Sequence, residues 1–388
     1  MTKKFTMLLF IFCFILKNPP AFGLGDAKQA IVIDADTGYI LYEKNADELT
    51  APSSMSKMMT VYLIFEKLQK GTLSLQDKLK VSREAWAKGG SRMFLEENSE
   101  VSVEDLLRGI IVQSGNDACI VIAEALSGTE ENFAELLNLK AKEIGLQKSN
   151  FTNSTGWPDV DHFSTARDLS LLARRTIQDF PEYYHFYSEE NFEYNNIKQG
   201  NRNTLLNNVM GVDGLKTGHT EAGGYGLAAS SLQNNQRLVM VINGLSSNKE
   251  RTAEALKLLE WGYRNFANFD SLQKGMTVPK IEAKVWLGKE KTIPLVINKD
   301  IKITIPRKAK NNLEFSIEYN SPIPAPIQKG EKVADLTVSG PGIDNLTIPL
   351  HAGSTVQSLG PLSKLLSLVN YFLWGCLLYT SPSPRDRG

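Results

Sequence analysis

The 388-residue chain carries 43 basic and 43 acidic side chains, so its formal charge is zero. With 42% hydrophobic and 22% charged residues, it has the composition of a soluble globular protein long enough for two domains, and it lacks the basic excess of a nucleic-acid binder. The four histidines show no ligand spacing, so neither a metal nor a cofactor is expected.

Residues 1–23 read as a secretory signal: Lys3 and Lys4 precede an apolar run from Phe5 to Leu16, and Ala21-Phe22-Gly23 offers a cleavage flank. The apolar run is too short to span a bilayer comfortably; an uncleaved anchor is the alternative. Past it, Cys119 is the one cysteine in the body of the chain, set among apolar residues as a buried hydrophobe. No internal disulfide is expected.

Two β-rich runs, Gln29–Gly38 and Tyr39–Glu43, with the turn residues Asp36-Thr37-Gly38 between their strands, predict a hairpin. Next comes Pro52-Ser53-Ser54-Met55-Ser56-Lys57 and an apolar run through Val61, Leu63, Ile64 and Phe65 to Leu68, stopped by Gly71. Proline ahead and glycine behind bound a buried helix opening at Ser54. Ser54 then lies at the positive end of the helix dipole, and Lys57, three residues on, shares its face. A serine hydroxyl is a weak nucleophile until a neighbour takes its proton, and a lysine whose pKa is lowered by burial can do so. Alone, the pair reads first as a capping serine beside a snorkelling lysine; its partners later in the chain decide otherwise.

Residues 74–102 mix short strands and loops, including a flexible-looking Gly89-Gly90-Ser91-Arg92. Ser102 can cap a helix, with Asp105 three residues on. Ser114-Gly115-Asn116 then breaks an apolar stretch ahead of a helix over Ala118–Leu126, placing polar side chains where they need partners. An ordinary helix–helix turn would use the same residues. Further helices are predicted over Asn132–Leu146 and Thr165–Ile177, separated by a loop over 147–165. Strands follow at Phe192–Ile197, around Lys216, at Tyr225–Ser230 and at Arg237–Ile242, and then a helix from Lys249 to Phe266. Strands from both ends around a helical middle predict one antiparallel sheet and an α+β fold with a helical insert.

After Asp270 short strands alternate with Pro and Gly, predicting a small all-β domain, sandwich or barrel, over 273–355. Over 356–375, Leu359, Leu362, Leu365, Leu366, Val369, Phe372 and Leu373 fall on one helical face, an amphipathic helix suited to a membrane surface; a helix docked on its own domain shows the same stripe. Residues 376–388 break the pattern and read as a translated sequencing adaptor, which would leave the true C-terminus longer.

Ser54-x-x-Lys57, Ser114-x-Asn116 and Lys216-Thr217-Gly218 occur in that order, about 60 and about 100 residues apart. With Ile111–Cys119 and Val212–Thr220, this set resembles the low-molecular-mass penicillin-binding proteins, the serine-type D-alanyl-D-alanine carboxypeptidases, over residues 24–375. The resemblance implies a penicillin-binding/β-lactamase-like transpeptidase fold over 24–272, an antiparallel sheet with a helical region, followed by the β domain and the amphipathic helix. It implies a hydrolase that removes the terminal D-alanine from peptidoglycan stem peptides ending in D-Ala-D-Ala, at the extracytoplasmic face of the cytoplasmic membrane, and that is acylated by β-lactams. Residue by residue, it implies Ser54 as nucleophile and Lys57 as its base. Ser114 and Lys216 would relay protons and Asn116 would hold the substrate amide. Thr217, Gly218, His219 and Arg251 would line the substrate site, Thr217 and Arg251 at the terminal carboxylate, with Arg202 nearby. The N–H groups of Ser54 and His219 would form the oxyanion hole. The same acyl-serine chemistry serves DD-endopeptidases and β-lactamases. Gly115 stands where the Ser-Asp-Asn form has aspartate, and residues 153–161 are a weak candidate for a lactamase's glutamate loop. A catalytically silent wall scaffold is the alternative of another class.

Overall fold

The structure, a computed structural model, describes residues 25–206 and 210–378. The signal-like segment and the tail from 379 lie outside them, as do the side chains beyond Val369. The chain divides into two compact units, through Arg264 and from Asn265.

The first unit begins with β1 (Gln29–Asp34), β2 (Ile40–Lys44), a 3-10 turn at Ser53–Ser56, α1 (Lys57–Gln69), β3 (Lys78–Lys80), α2 (Arg83–Ala87) and β4 (Glu100–Ser102). It continues through α3 (Val103–Ile111), α4 (Asn116–Ser127), α5 (Glu130–Glu143), α6 (Ala166–Asp179) and a hairpin of β5 (Asn191–Tyr194) and β6 (Ile197–Gly200). It closes with β7 (Val212–Thr220), β8 (Gly224–Gln233), β9 (Gln236–Leu245) and α7 (Asn248–Asn265). The five-stranded sheet has the order β2-β1-β9-β8-β7 and is antiparallel throughout. Both ends of the unit therefore build one sheet, as expected, and β7 is its edge.

Helix α1 is buried on nearly all sides. Met58, Met59, Val61, Ile64 and Phe65 are at most 1% exposed, and a helix apolar all round belongs in a core. Phe65 meets the rings of Phe180 and Tyr187 edge-on at 5.8 and 6.2 Å. Burial of each such side chain contributes about 1.5–3 kcal/mol, so α1 is a fixed post for whatever its first turn carries. Around it, Ser102, Thr129 and Thr165 cap α3, α5 and α6 by accepting backbone N–H groups, satisfying donors that a helix start leaves free.

One local expectation changes. The α-helix starts at Lys57 rather than Ser54, and Ser54 sits in the preceding 3-10 turn. Ser53 has φ +53°, a left-handed conformation that no α-helix contains, and Met55 N–H closes the turn on the Pro52 carbonyl at 3.1 Å.

The second unit contains β10 (Phe266–Leu272), β11 (Thr277–Trp286), β12 (Thr292–Val296), β13 (Ile301–Pro306), β14 (Glu314–Glu318), β15 (Ile323–Pro324), β16 (Lys332–Gly340), β17 (Ile343–Ala352) and α8 (Pro361–Leu378). A six-stranded sheet runs β14-β16-β17-β12-β11-β15, and β10 pairs with β13. Ile293, Leu295, Leu336, Val338 and Leu350 are central to its core. The strand β10 was not expected, because the helical period of α7 reads on through Phe266. Helix α8 starts at Pro361, after Leu359. Its Leu362, Leu365 and Leu366 are 75%, 60% and 61% exposed. No helix among the described residues is long and apolar enough to cross a membrane.

Candidate active site

The turn before α1 leaves Ser54 partly open while Lys57 is fully buried. The Lys57 Nζ donates to three acceptors: the Ser54 Oγ at 3.0 Å, the Asn116 Oδ1 at 2.8 Å and the Thr155 carbonyl at 2.6 Å. These saturate an ammonium; a neutral amine in the same place has a lone pair for one of them to donate into. Burial pulls the Lys57 pKa down to about 8, with Lys88 adding repulsion and Asp117 and Glu130 opposing. Desolvation, rather than Lys216, is therefore the main reason Lys57 is easily neutralised. The repulsion between the two lysines is felt at Lys216, which burial first and Lys57 second hold well below the ordinary lysine range.

The break between α3 and α4 carries Ser114, at φ +60°, and Asn116. Lys216 Nζ donates to the Ser114 Oγ at 3.0 Å, so β7 and the α3–α4 turn meet through a second lysine–serine pair. Asn116 is engaged at both ends of its amide: Oδ1 holds Lys57, and Nδ2 donates to the Gly89 carbonyl at 2.9 Å. Its backbone N–H donates to the Ser91 carbonyl at 2.7 Å. The glycine-rich stretch at 89–92 is thus pinned to the site rather than loose. Gly90 has φ +79°, and a Cβ there would stand 2.7 Å from Asn116 Nδ2. Beneath it, the Asp117 carboxylate accepts from the N–H groups of Met93 and Leu95.

Gly218 is required by a close approach of backbone. A Cβ at Gly218 would lie 2.8 Å from the Pro52 carbonyl. Its bareness lets β7 press against the serine turn. Gly156 does the same from the other side, where a Cβ would fall 1.9 Å from the Ser53 carbonyl.

Beyond Gly218, the His219 ring stacks on Tyr225 at 3.9 Å between centroids, and the Arg251 guanidinium lies 5.9 Å from the Tyr225 ring. Arg251 is buried, and its Nη2 donates to the Arg202 carbonyl at 3.2 Å and the Asn248 Oδ1 at 2.5 Å. Arg202 is exposed. A cleft of about 420 Å³ is lined by Ser54, Ser91, Ser114, Arg202, Thr217, Gly218, His219, Tyr225, Asn248 and Arg251. Lys57, Asn116 and Lys216 stand behind this surface, and no carboxylate lines it among the described residues.

Three contributors were not foreseen. Thr155 acts through its backbone carbonyl. Asn153 shapes that loop, its Oδ1 accepting from the N–H groups of Gly156 at 2.8 Å and Trp157 at 2.9 Å. Asp117 braces the far loop. Asparagine three residues before glycine was the available signal for the turn; a carbonyl leaves none.

A lysine-paired serine beside the edge strand of an antiparallel sheet flanked by helices defines a serine-type hydrolase of the penicillin-binding-protein fold. Residues 18–247 match the family described as D-alanyl-D-alanine carboxypeptidase, and residues 266–358 match that described as penicillin-binding protein 5, C-terminal domain. The chain belongs to the D-alanyl-D-alanine carboxypeptidase family. It is 37% identical over 345 residues to D-alanyl-D-alanine carboxypeptidase DacA of Haemophilus influenzae, covering 87% of each. The solved penicillin binding protein 5 from Haemophilus influenzae is similar at TM-score 0.78 and 37% identity, over 86% of this chain and 98% of that one. Penicillin-binding protein D2 from Listeria monocytogenes, solved in its ampicillin-bound form, is similar at TM-score 0.57 and 29% identity, over 61% of this chain and 97% of that one. The expected family, fold class and serine-hydrolase chemistry are borne out.

Proposed function

We propose that this chain trims the terminal D-alanine from peptidoglycan stem peptides through an acyl-enzyme on Ser54, limiting the donors left for crosslinking. The observation that carries the reading is the 3.0 Å contact between the Ser54 Oγ and the buried amine of Lys57. A base poised near the operating pH is what proton abstraction from a serine needs. The peptide lies along the exposed edge of β7 as an added strand. The Ser54 Oγ attacks the carbonyl carbon of the penultimate D-alanine while its proton passes to Lys57 Nζ. Backbone N–H groups of Ser54 and His219 take up the oxyanion. The proton taken up by Lys57 reaches the departing D-alanine nitrogen by way of Ser114, hydrogen-bonded to Lys216, which gives one proton and takes one back. Water then cleaves the acyl-enzyme and regenerates Ser54. Thr217 and the positive charge of Arg251 and Arg202 hold the terminal carboxylate. Asn116 orients Lys57 and ties down the 89–92 loop, a fuller task than gripping substrate.

The carboxylate-free cleft supports a peptidase over a class A β-lactamase, whose glutamate activates water against the acyl-enzyme. Penicillins would therefore acylate Ser54 and leave slowly. The exposed leucines of α8 support attachment to the extracytoplasmic face of the membrane, and the segment before Gly23 would direct export.

The test follows D-alanine release from a peptide ending in D-Ala-D-Ala and covalent attachment of labelled penicillin in the same preparation. Release with a long-lived adduct on Ser54, both abolished in Ser54→Ala, is expected. Rapid penicillin turnover without D-alanine release would replace this reading with the lactamase. Folded protein giving neither would leave a scaffold.

A further inference from the structure

One end of the cleft carries a ring that none of the steps above uses, that of Tyr225. Tyr225 of β8 stands directly across from His219 of β7 in the ladder, so the two side chains share one face of the sheet. Their rings stack at 3.9 Å with 33° between planes. Behind them, Arg251 is fixed by two acceptors and by the Tyr225 ring. The ring is thus held between His219 on one side and Arg251 on the other.

We propose that Tyr225 sets the size of the leaving residue, admitting a methyl side chain and rejecting larger ones. The inference rests on the reading of Ser54 and D-alanine release above. With the substrate's terminal carboxylate held at Thr217 and the arginines, the side chain of the departing residue lies over the His219–Tyr225 stack. A methyl group fits against a flat ring. A branched or long side chain must displace it. Crosslinked peptides present, as the leaving group, a D-centre with a carboxylate and a long side chain. The same ring therefore disfavours endopeptidase cleavage and favours trimming of free pentapeptide ends. The reaction is otherwise unchanged: the scissile C–N bond breaks, the carbonyl joins Ser54 Oγ, and the nitrogen leaves with one proton.

The test compares two peptides that differ only in ending D-alanyl-D-alanine or D-alanyl-D-leucine, each followed by release of the last residue. The wild-type chain is expected to favour the first in kcat/KM by about tenfold or more, the discrimination a small apolar pocket commonly achieves. Tyr225→Ala is expected to shrink that ratio about tenfold, mainly by raising the rate on the D-leucine peptide, while Tyr225→Phe keeps it. If Tyr225→Ala does not fold, judged by its thermal transition, Tyr225→Leu serves, with a smaller shift of the same sign. An unchanged ratio in a folded variant that slows both peptides equally would overturn the proposal and make Tyr225 a support for His219 alone. No D-alanine release by the wild-type chain would instead remove the reading beneath it, and the proposal with it.

Discussion

The site holds two lysine–serine pairs of matching reach: Lys57 Nζ and Lys216 Nζ each lie 3.0 Å from a serine Oγ, those of Ser54 and Ser114. Their surroundings differ. Lys57 feels the negative charge of Asp117 and Glu130, and two further oxygens accept from it. Lys216 has Lys57, Arg202 and Arg251 around it, and its other acceptor is the Thr217 carbonyl at 3.3 Å. The same short contact thus belongs to two amines in unlike electrostatic surroundings. Lys57 can gain and lose a proton near neutrality, while burial and the neighbouring cations hold Lys216 towards the neutral form. Distance identifies the pairs; the charges beyond them assign the work.

Replacing each lysine by methionine separates the two most sharply. Lys57→Met is expected to slow Ser54 acylation by labelled penicillin about 10³-fold, within the range a positioned base supplies. Lys216→Met is expected to slow it about 10²-fold; equal losses would merge the two roles. In the wild-type chain the acylation rate constant should climb with pH and level off above about 8, because only the neutral Lys57 amine accepts the proton. A flat profile through that region would take the base role from Lys57.

Stability should order the variants the other way. Folding lowers the Lys57 pKa from its usual 10.5 to about 8. Between those values the unfolded chain binds more protons, so stability rises with pH across the window. At neutral pH the burial of Lys57 costs about 3 kcal/mol. Lys57→Met recovers part of this, less the cost of leaving three acceptors without a donor. Lys216→Met strands fewer acceptors and should give the larger gain. Urea midpoints of the two variants check the ordering. Asn116→Ala, smallest in effect, removes an acceptor that only Lys57 has. It is expected to cost about tenfold in acylation, the scale of one hydrogen bond to a charged group, and it should shift the pH profile while Lys216→Met leaves the Lys57 limb in place.

The groups legible in the sequence are those whose chemistry demands a side-chain type. Ser54, Lys57, Ser114, Asn116 and Lys216 were readable because few other residues can act there, and their order in the chain made coincidence improbable. The sheet was readable because β1, β8 and β9 are apolar runs bounded by turn residues. What escaped was carried by backbone. The Thr155 carbonyl that holds Lys57 looks like any other, and the left-handed Ser53 that displaces the helix start by three residues carries no mark of its φ. The reason for Gly218 lay in a neighbour, the Pro52 carbonyl, that sequence alone does not bring within reach. Strand β10 was hidden by the helical period running into Phe266.

The partnership of β1 with β9, Ala30 opposite Ile242, has a consequence for how the protein comes into being. A chain emerging from its N-terminus holds the sticky run Gln29–Asp34 without its central neighbour until more than two hundred further residues have appeared. Contacts so distant in sequence form slowly, and unpaired apolar strands invite aggregation meanwhile. Lys216 joins the sheet only in the same late stage. On the proposed mechanism a partly made chain therefore cannot cut peptides, and Ser54 is armed only once the first unit is whole.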